Sequence, residues 1–158
     1  MQKSELLNAL KKEALAISYL DLVLGKKYLE EEFKFVPDSY RKPWLDEIFR
    51  YFAENLYELI RIAEVEGEID QDKYRKLMER LNKSPENEYE KAFLKVSRVV
   101  VSYLIFIAQK PVHSPNIIFP GGLRIKQIGN KYYCPAKEKQ ENPYSFCEFC
   151  VCEKLEEG

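Results

Sequence analysis

Apolar residues recur at three- and four-residue spacings through most of the first 109 residues, with charged residues between them. This period is typical of amphipathic helices that pack one face on a core. Capping and breaking residues predict four helices. The first runs from Leu6 to near Gly25, the second starts by Pro43 and stops near Gly67, the third runs from Asp70 to Leu81, and the fourth from Ser84-Pro85 to near Lys110. The sequence therefore predicts a mainly α protein, with a helical bundle over residues 1–109.

The last of these helices is the most apolar. Its stripe consists of Tyr89, Phe93, Val96, Val100, Tyr103, Leu104 and Ile107. Its second half carries further apolar residues on the other sides, namely Val99, Val101, Ile105 and Phe106. Because a helix that is apolar all round is usually buried, we expect this half in the middle of the bundle.

Proline and glycine become frequent after Lys110, which excludes a long helix and predicts loops with short strands. The clearest element is a β-hairpin around Gly129-Asn130, since apolar residues up to Ile128 precede this pair and Tyr132 and Tyr133 follow it. The hairpin would place Cys134 at the end of a strand. We expect residues 110–158 to form a separate Cys/His metal-binding hairpin module packed on the bundle.

Composition excludes several classes of protein. The 158 residues are 46% apolar, enough for one domain with a core. The formal net charge is -1, which excludes a globally basic nucleic-acid coat protein. The longest apolar run, residues 99–108 with one serine, is half of the about 20 residues that span a bilayer. With no secretory signal at the start, we expect a cytoplasmic protein that does not cross a membrane.

Four cysteines follow residue 133, a local pattern that suits a metal site better than a disulfide framework. Cys147 and Cys150 form a CxxC knuckle, and 12 residues separate Cys134 from it, so three thiolates can meet on one ion. The fourth ligand is His113, the single histidine, or Cys152. We favour His113 because an extended segment would point Cys152 away from the site, whereas a turn over residues 148–153 would restore it.

Three thiolates and an imidazole fill the tetrahedral coordination of zinc and leave no position for water, which indicates a structural site. An iron-sulfur cluster is the alternative cofactor, since Cys152 would supply a fourth thiolate. A CxxC pair is also found as a redox centre, but that motif normally opens a helix, and here it lies among Phe146, Phe149 and Val151. Reduced thiols or a disulfide are the remaining interpretations.

The same region resembles the signature of an uncharacterised archaeal domain family found mostly in methanogens. The resemblance is carried by Val112-His113, Phe119-Pro120-Gly121-Gly122, Tyr132-Tyr133-Cys134-Pro135, Lys137, Lys139-Gln140 and Cys147-Glu148-Phe149-Cys150-Val151. It is dense over residues 111–151 and looser over the helices. It implies that His113, Cys134, Cys147 and Cys150 belong to one ligand set, in which Cys152 is a departure. It implies no reaction.

Charge along the chain suggests a partner. Residues 110–139 have a net charge of +5 and residues 140–158 a net charge of -4. Cations and an aromatic side chain on a hairpin can contact phosphates and stack a base. The candidate contact residues are Arg124, Lys126, Lys131, Tyr132, Lys137 and Lys139. Alternatively, these cations offset the negative charge of a thiolate site.

Enzyme motifs are absent from the sequence: it has no glycine-rich phosphate loop, nucleophile elbow or His-Glu-x-x-His helix. We therefore lean towards a non-catalytic binding or adaptor protein. Its basic hairpin, held together by zinc, would contact RNA, DNA, a ribosome or a protein partner. The second hypothesis is an iron-sulfur or metal-dependent accessory enzyme or electron-transfer protein.

Overall fold

A computed structural model of the chain describes residues 1–119, 121–135, 137, 146 and 149–154. Within these residues the protein has five α-helices, a π-helical turn and a small three-stranded sheet. Their limits are α1 Lys3–Leu15, α2 Tyr19–Glu32, α3 Asp38–Arg61, α4 Gln71–Leu81, α5 Glu88–Ser102, the π-helical turn Tyr103–Ala108, β1 Lys126–Ile128, β2 Lys131–Cys134 and β3 Glu153–Lys154. The predicted mainly α fold is confirmed.

The predicted first helix is two helices, and its predicted end at Gly25 is wrong. Ser18 and Asp21 form a capping box, in which each side chain accepts a hydrogen bond from the other residue's backbone N–H at 3.1 and 2.9 Å. This motif starts a new helix at Tyr19. Gly25 lies inside α2, where a Cβ atom would be 3.5 Å from the Cα of Phe93. The glycine therefore allows α2 to lie close to α5 instead of ending the helix.

Capping also explains the other differences in helix limits. The carbonyl of Pro37 accepts hydrogen bonds from the backbone N–H groups of Tyr40 and Arg41, so α3 begins at Asp38, in agreement with a start by Pro43. It ends at Arg61, before the predicted stop at Gly67. Asn87 caps α5 by accepting the N–H of Glu90 at 2.9 Å, and α5 therefore begins after the predicted Ser84-Pro85. The predicted short helix over 71–81 is confirmed, with Asp70 as its cap.

The second half of α5 lies in the core, as predicted. Val100 and Val101 are fully buried, and the π-helical turn continues this core with Tyr103 and Leu104. Leucines of α1, α3 and α4 pack around it, namely Leu6, Leu7, Leu10, Leu59 and Leu77. Each of these side chains contributes about 1.5–3 kcal/mol through its burial, so apolar packing holds the helices together.

The π-helical turn ends the run of helices. It ends at Gln109, which has a positive φ of 53°, and the N–H of Lys110 donates to the carbonyl of Leu104 at 2.9 Å. Beyond it the predicted hairpin is confirmed. Residues 126–128 pair antiparallel with residues 131–133, and the turn uses a positive φ of 62° at Gly129. β3 then pairs parallel to β2 on its free edge.

No helix among the described residues is both long enough and apolar enough to span a membrane.

Candidate functional site

Residues 110–118, here called the anchored loop, run along one face of α3 in the opposite direction to the helix. The hydrogen bonds that hold it are Lys110 Nζ to Glu58 Oε2 at 2.8 Å, Tyr51 Oη to the Pro111 carbonyl at 2.7 Å, Ser114 Oγ to Glu47 Oε1 at 2.6 Å, and Trp44 Nε1 to the Ile118 carbonyl at 2.9 Å. The helical partners are spaced by three, four and seven residues, which places them on one helix face. This contact positions the chain that leads to the hairpin.

Glu47 is the most strongly bound carboxylate of this contact. Its side chain accepts hydrogen bonds from Arg50, Ser114 and Asn116. Arg50 has the largest effect, and together these bonds lower the pKa of Glu47 to about 2, against the opposing effect of partial burial. The carboxylate therefore stays charged at neutral pH and fixes the middle of the anchored loop.

Cys134, Cys150 and Cys152 are neighbours in the structure, and we call them the thiol cluster. Cys134 and Cys152 are buried together with Ile125, and half-buried Cys150 packs against them. The thiol of Cys152 hydrogen-bonds with those of Cys134 and Cys150. No disulfide links these three described cysteines. The sheet therefore unites two of the sequence regions from which metal ligands were predicted.

A turn explains why Cys152 joins the cluster. The N–H of Phe149 donates to the carbonyl of Phe146 at 3.0 Å, and residues 149–151 bend before β3 begins. The argument from sequence excluded Cys152 only for an extended segment, and this segment is not extended. Pairing of Lys154 with Cys134 then holds Cys152 beside β2.

The surroundings of Cys150 stabilise a thiolate. The backbone N–H of Val112 donates to Cys150 Sγ at 3.4 Å, and Lys137 Nζ donates to the Cys150 carbonyl at 3.1 Å. The pKa of Cys150 is lowered, first by hydrogen bonding with Cys152 and further by the Val112 N–H and the Lys137 charge. The pKa of Cys152 is raised by its hydrogen bonds with Cys134 and Cys150. Thiolates are the form of cysteine that binds metals.

His113 lies elsewhere. Its half-buried ring lines an apolar cavity between the helices and the anchored loop, and burial lowers the pKa of its imidazole. Across the part of the chain that the structure describes, no group of three or more His, Cys, Asp or Glu side chains has the arrangement of a metal site. Cys147, a member of the predicted ligand set, lies outside the described residues.

The sheet separates the thiol cluster from three of the predicted contact residues. Directly paired residues of antiparallel strands share a face, and successive residues alternate between faces. Lys126 and Lys131 are exposed on the outer face, which they share with half-buried Tyr133, and exposed Arg124 lies two residues before β1. We call these four residues the basic face. Lys131 also forms an ion pair with Glu153 at 3.6 Å.

The other predicted contact residues are placed differently. Tyr132 lies on the inner face and packs against the cluster of Ile125, Cys134 and Cys152. Lys137 is bound to the carbonyl of Cys150. Lys139 lies outside the described residues. Of the two tyrosines of β2, Tyr133 is therefore the one that shares a surface with the exposed cations.

Sequence reasoning missed the helical side of this site. The sequence pattern singles out none of Trp44, Glu47 and Tyr51 as functional residues. A signal exists, because these three residues and Glu58 lie on one helix face and can all form hydrogen bonds. Such a row on an otherwise amphipathic helix indicates a face that binds polar backbone rather than another helix.

Comparison with other proteins identifies relatives over almost the whole chain. A UPF0305 protein of Methanococcus maripaludis (strain C7) is 38% identical, and UPF0305 protein MJ0646 of Methanocaldococcus jannaschii is 34% identical, each over 99% of both chains. A UPF0305 protein of Methanothermobacter thermautotrophicus is 30% identical over 96% of this chain and 95% of its own length. No solved structure matches the chain. The model of the family described as an uncharacterized protein conserved in archaea (DUF2115) matches residues 2–155, so the chain belongs to this archaeal family.

Proposed function

We propose that this chain is a non-catalytic binding protein whose C-terminal sheet, held together by a metal ion, contacts a nucleic acid. One observation carries the proposal: the small sheet has thiols on its inner face and exposed cations with a tyrosine on its outer face. The inner face supplies ligands that can make the sheet rigid. The outer face supplies groups that bind phosphates and stack on bases.

For the metal, we propose zinc held by the thiol cluster and Cys147. Cys150 and Cys152 come from one segment and Cys134 from β2, and Cys152 hydrogen-bonds with both of the others. The N–H of Val112 on Cys150 Sγ is the kind of outer hydrogen bond that orients metal ligands. Cys152 is favoured over His113 as the fourth ligand because His113 lines a separate cavity. Four thiolates close the coordination of zinc, so the ion would act as a scaffold.

The nucleic-acid part rests on the basic face. Lys126 and Lys131 lie on the two-stranded ribbon and Arg124 lies just before it, and the ring of Tyr133 is on the same side as the two lysines. Because phosphate binding needs only cations within reach of the backbone, we expect binding that weakens as salt rises. Stacking on Tyr133 would favour single strands, whose bases are accessible.

Fluorescence anisotropy with single-stranded RNA and DNA tests this proposal. We expect the double variant Arg124→Glu, Lys126→Glu to bind at least tenfold more weakly at low salt. The slope of log affinity against log salt concentration should fall by the equivalent of about two phosphate contacts. Its matched control is Arg75→Glu, Lys76→Glu, which makes the same charge change on exposed positions of α4. The proposal is wrong if wild type shows no saturable binding at low salt, or if both variants lose affinity equally.

Iron-sulfur chemistry is the second candidate, favoured by the presence of three neighbouring cysteines and a fourth nearby in sequence. Elemental analysis with an anaerobic absorption spectrum separates the two. One zinc per colourless chain supports the scaffold, whereas iron with sulfide and visible absorption supports an electron-transfer or accessory enzyme role.

A further inference from the structure

A cavity of about 160 Å³ lies between α2, α3, α5 and the anchored loop. Its wall is rich in aromatic rings, contributed by Phe33, Tyr51, Phe52, Phe93 and Phe146. Three of the four elements around it are long helices, and hydrogen bonds to α3 hold the loop in place. The cavity is therefore a built feature of the fold and is distinct from the thiol cluster.

His113 is the polar group of this cavity that has no partner among the described residues. The hydroxyl of Tyr51 donates to the Pro111 carbonyl, and the hydroxyl of Ser114 donates to Glu47. Within the described part of the chain, the imidazole of His113 has no hydrogen-bond partner. A neutral imidazole offers one N–H donor and one nitrogen acceptor. A ligand in the cavity would therefore gain a hydrogen bond that the described residues do not supply.

Size and charge narrow the ligand class. An apolar cavity of about 150 Å³ accommodates benzene, so a single aromatic ring fits this volume. No lysine or arginine is among the described residues that form the wall. A charged ligand would therefore lose its hydration without gaining an ion pair. The walls and the unpartnered ring together favour an uncharged aromatic molecule with one hydrogen-bonding group.

We propose that this cavity is a binding site for small phenols, with the ring between the aromatic side chains and the hydroxyl on His113. The site is independent of the metal and nucleic-acid proposals, since none of its contacts uses the basic face or a thiol. Val112 belongs to its wall and donates to Cys150 through its backbone, so the cavity and the thiol cluster adjoin.

Isothermal titration calorimetry of the full chain with phenol, benzene and benzoate tests the proposal without any mutation. We expect phenol to bind about tenfold more tightly than benzene, because one hydrogen bond is added. Benzoate should bind most weakly, since its carboxylate would be buried without a cation. Absence of saturable phenol binding, or binding of benzoate as tight as that of phenol, would overturn the proposal.

A pair of variants locates the site. Ile48→Phe adds volume inside the cavity, and Ile60→Phe makes the same substitution on the same helix at a position that is 44% exposed. We expect Ile48→Phe to weaken phenol binding at least tenfold and Ile60→Phe to leave it unchanged, with far-UV circular dichroism confirming that both fold. Equal binding by the two folded variants would place phenol elsewhere and overturn the assignment.

Discussion

The helical bundle and the region that follows it differ in how much apolar packing holds them together. In the bundle, fully buried side chains of α1, α3, α4 and α5 form one continuous apolar cluster. The sheet has a small cluster of its own, built from Ile125, Cys134 and Cys152 with a few half-buried neighbours. Val112 and Phe149 of this second region reach the apolar core of the bundle, and hydrogen bonds to α3 and contacts among thiols hold the anchored loop and the sheet. The order of the loop and the sheet should therefore depend on pH, on the proposed metal and on single hydrogen bonds more than that of the bundle does.

Removal of one thiol should give the largest difference between the two regions, because it should disorder the sheet and leave the helices folded. We expect Cys134→Ser to abolish stoichiometric zinc binding and to expose the amides of residues 123–134 to hydrogen exchange, while the helical circular dichroism persists. A structural zinc site contributes on the order of 10–16 kcal/mol to folding in small zinc domains, so its loss should disorder the sheet. Elemental analysis and hydrogen-exchange mass spectrometry measure the two effects.

His113→Gln is the matched control for this experiment. If Cys152 completes the site, this variant retains one zinc per chain. Loss of zinc from His113→Gln together with retention in Cys152→Ser would instead restore the ligand set implied by the family resemblance. Retention of zinc by Cys134→Ser itself would contradict any site at the sheet.

A substitution that empties space in the bundle core should instead lower the stability of the whole protein. Leu59 of α3 is fully buried, and we expect Leu59→Ala to lower the free energy of unfolding by about 3 kcal/mol. Leu20, which is 62% exposed, provides the control, and Leu20→Ala should change stability by less than about 0.5 kcal/mol. Chemical denaturation followed by circular dichroism measures both. Similar losses from the two variants would mean that the described core does not dominate stability.

How far the sequence predicts each region follows from the same contrast. The apolar second half of α5 and the cap at Asp70 were predictable because burial and capping are local or periodic signals. The hairpin was predictable from Gly129 in its turn. Gly25 and Gly67 misled the prediction of helix ends. Gly25 serves a close helix contact, and α3 already ends at Arg61.

The site was less predictable than the fold. Cys134 and Cys150 were identified as partners from spacing, but the choice between His113 and Cys152 depends on a turn at residues 149–151 that spacing does not reveal. The anchoring residues of α3 depend on which backbone passes over them. The α3 side chains bond to carbonyls of a loop, and a loop has no periodic sequence pattern. Only the α3 residues of this contact can therefore be recognised in the sequence.

Acid should loosen the anchored loop before the bundle. The pKa of Glu47 is about 2 in the folded protein, against 4.5 for a free glutamate, so the folded state binds fewer protons. Its stabilisation is complete above about pH 4.5 and is lost as the pH falls to about 2. Glu47→Gln should lower stability by about 1–2 kcal/mol at pH 7, after allowance for the exposure of Arg50, and by little at pH 2. Unfolding at a series of pH values measures this.

Exposed Glu64 supplies the comparison for that series. Glu64→Gln should follow the wild-type pH profile throughout. A pH profile of Glu47→Gln that runs parallel to wild type would show that Glu47 does not anchor the loop.

The smallest expected effect isolates one hydrogen bond between the two regions. Tyr51 is buried and donates to the Pro111 carbonyl at 2.7 Å, and its burial raises the pKa of the phenol, so it stays protonated as a donor. Tyr51→Phe keeps the ring in the core and removes the hydroxyl, which should cost about 1 kcal/mol. Because the carbonyl that loses its partner belongs to the anchored loop, faster hydrogen exchange should appear at residues 112–117 and not in α5.

Tyr57→Phe, on the same helix but 61% exposed, should leave that exchange unchanged. If Tyr51→Phe instead accelerates exchange throughout α3 and α5, then the loop and the bundle open as one unit, and the contrast between a packed region and a tethered one does not hold.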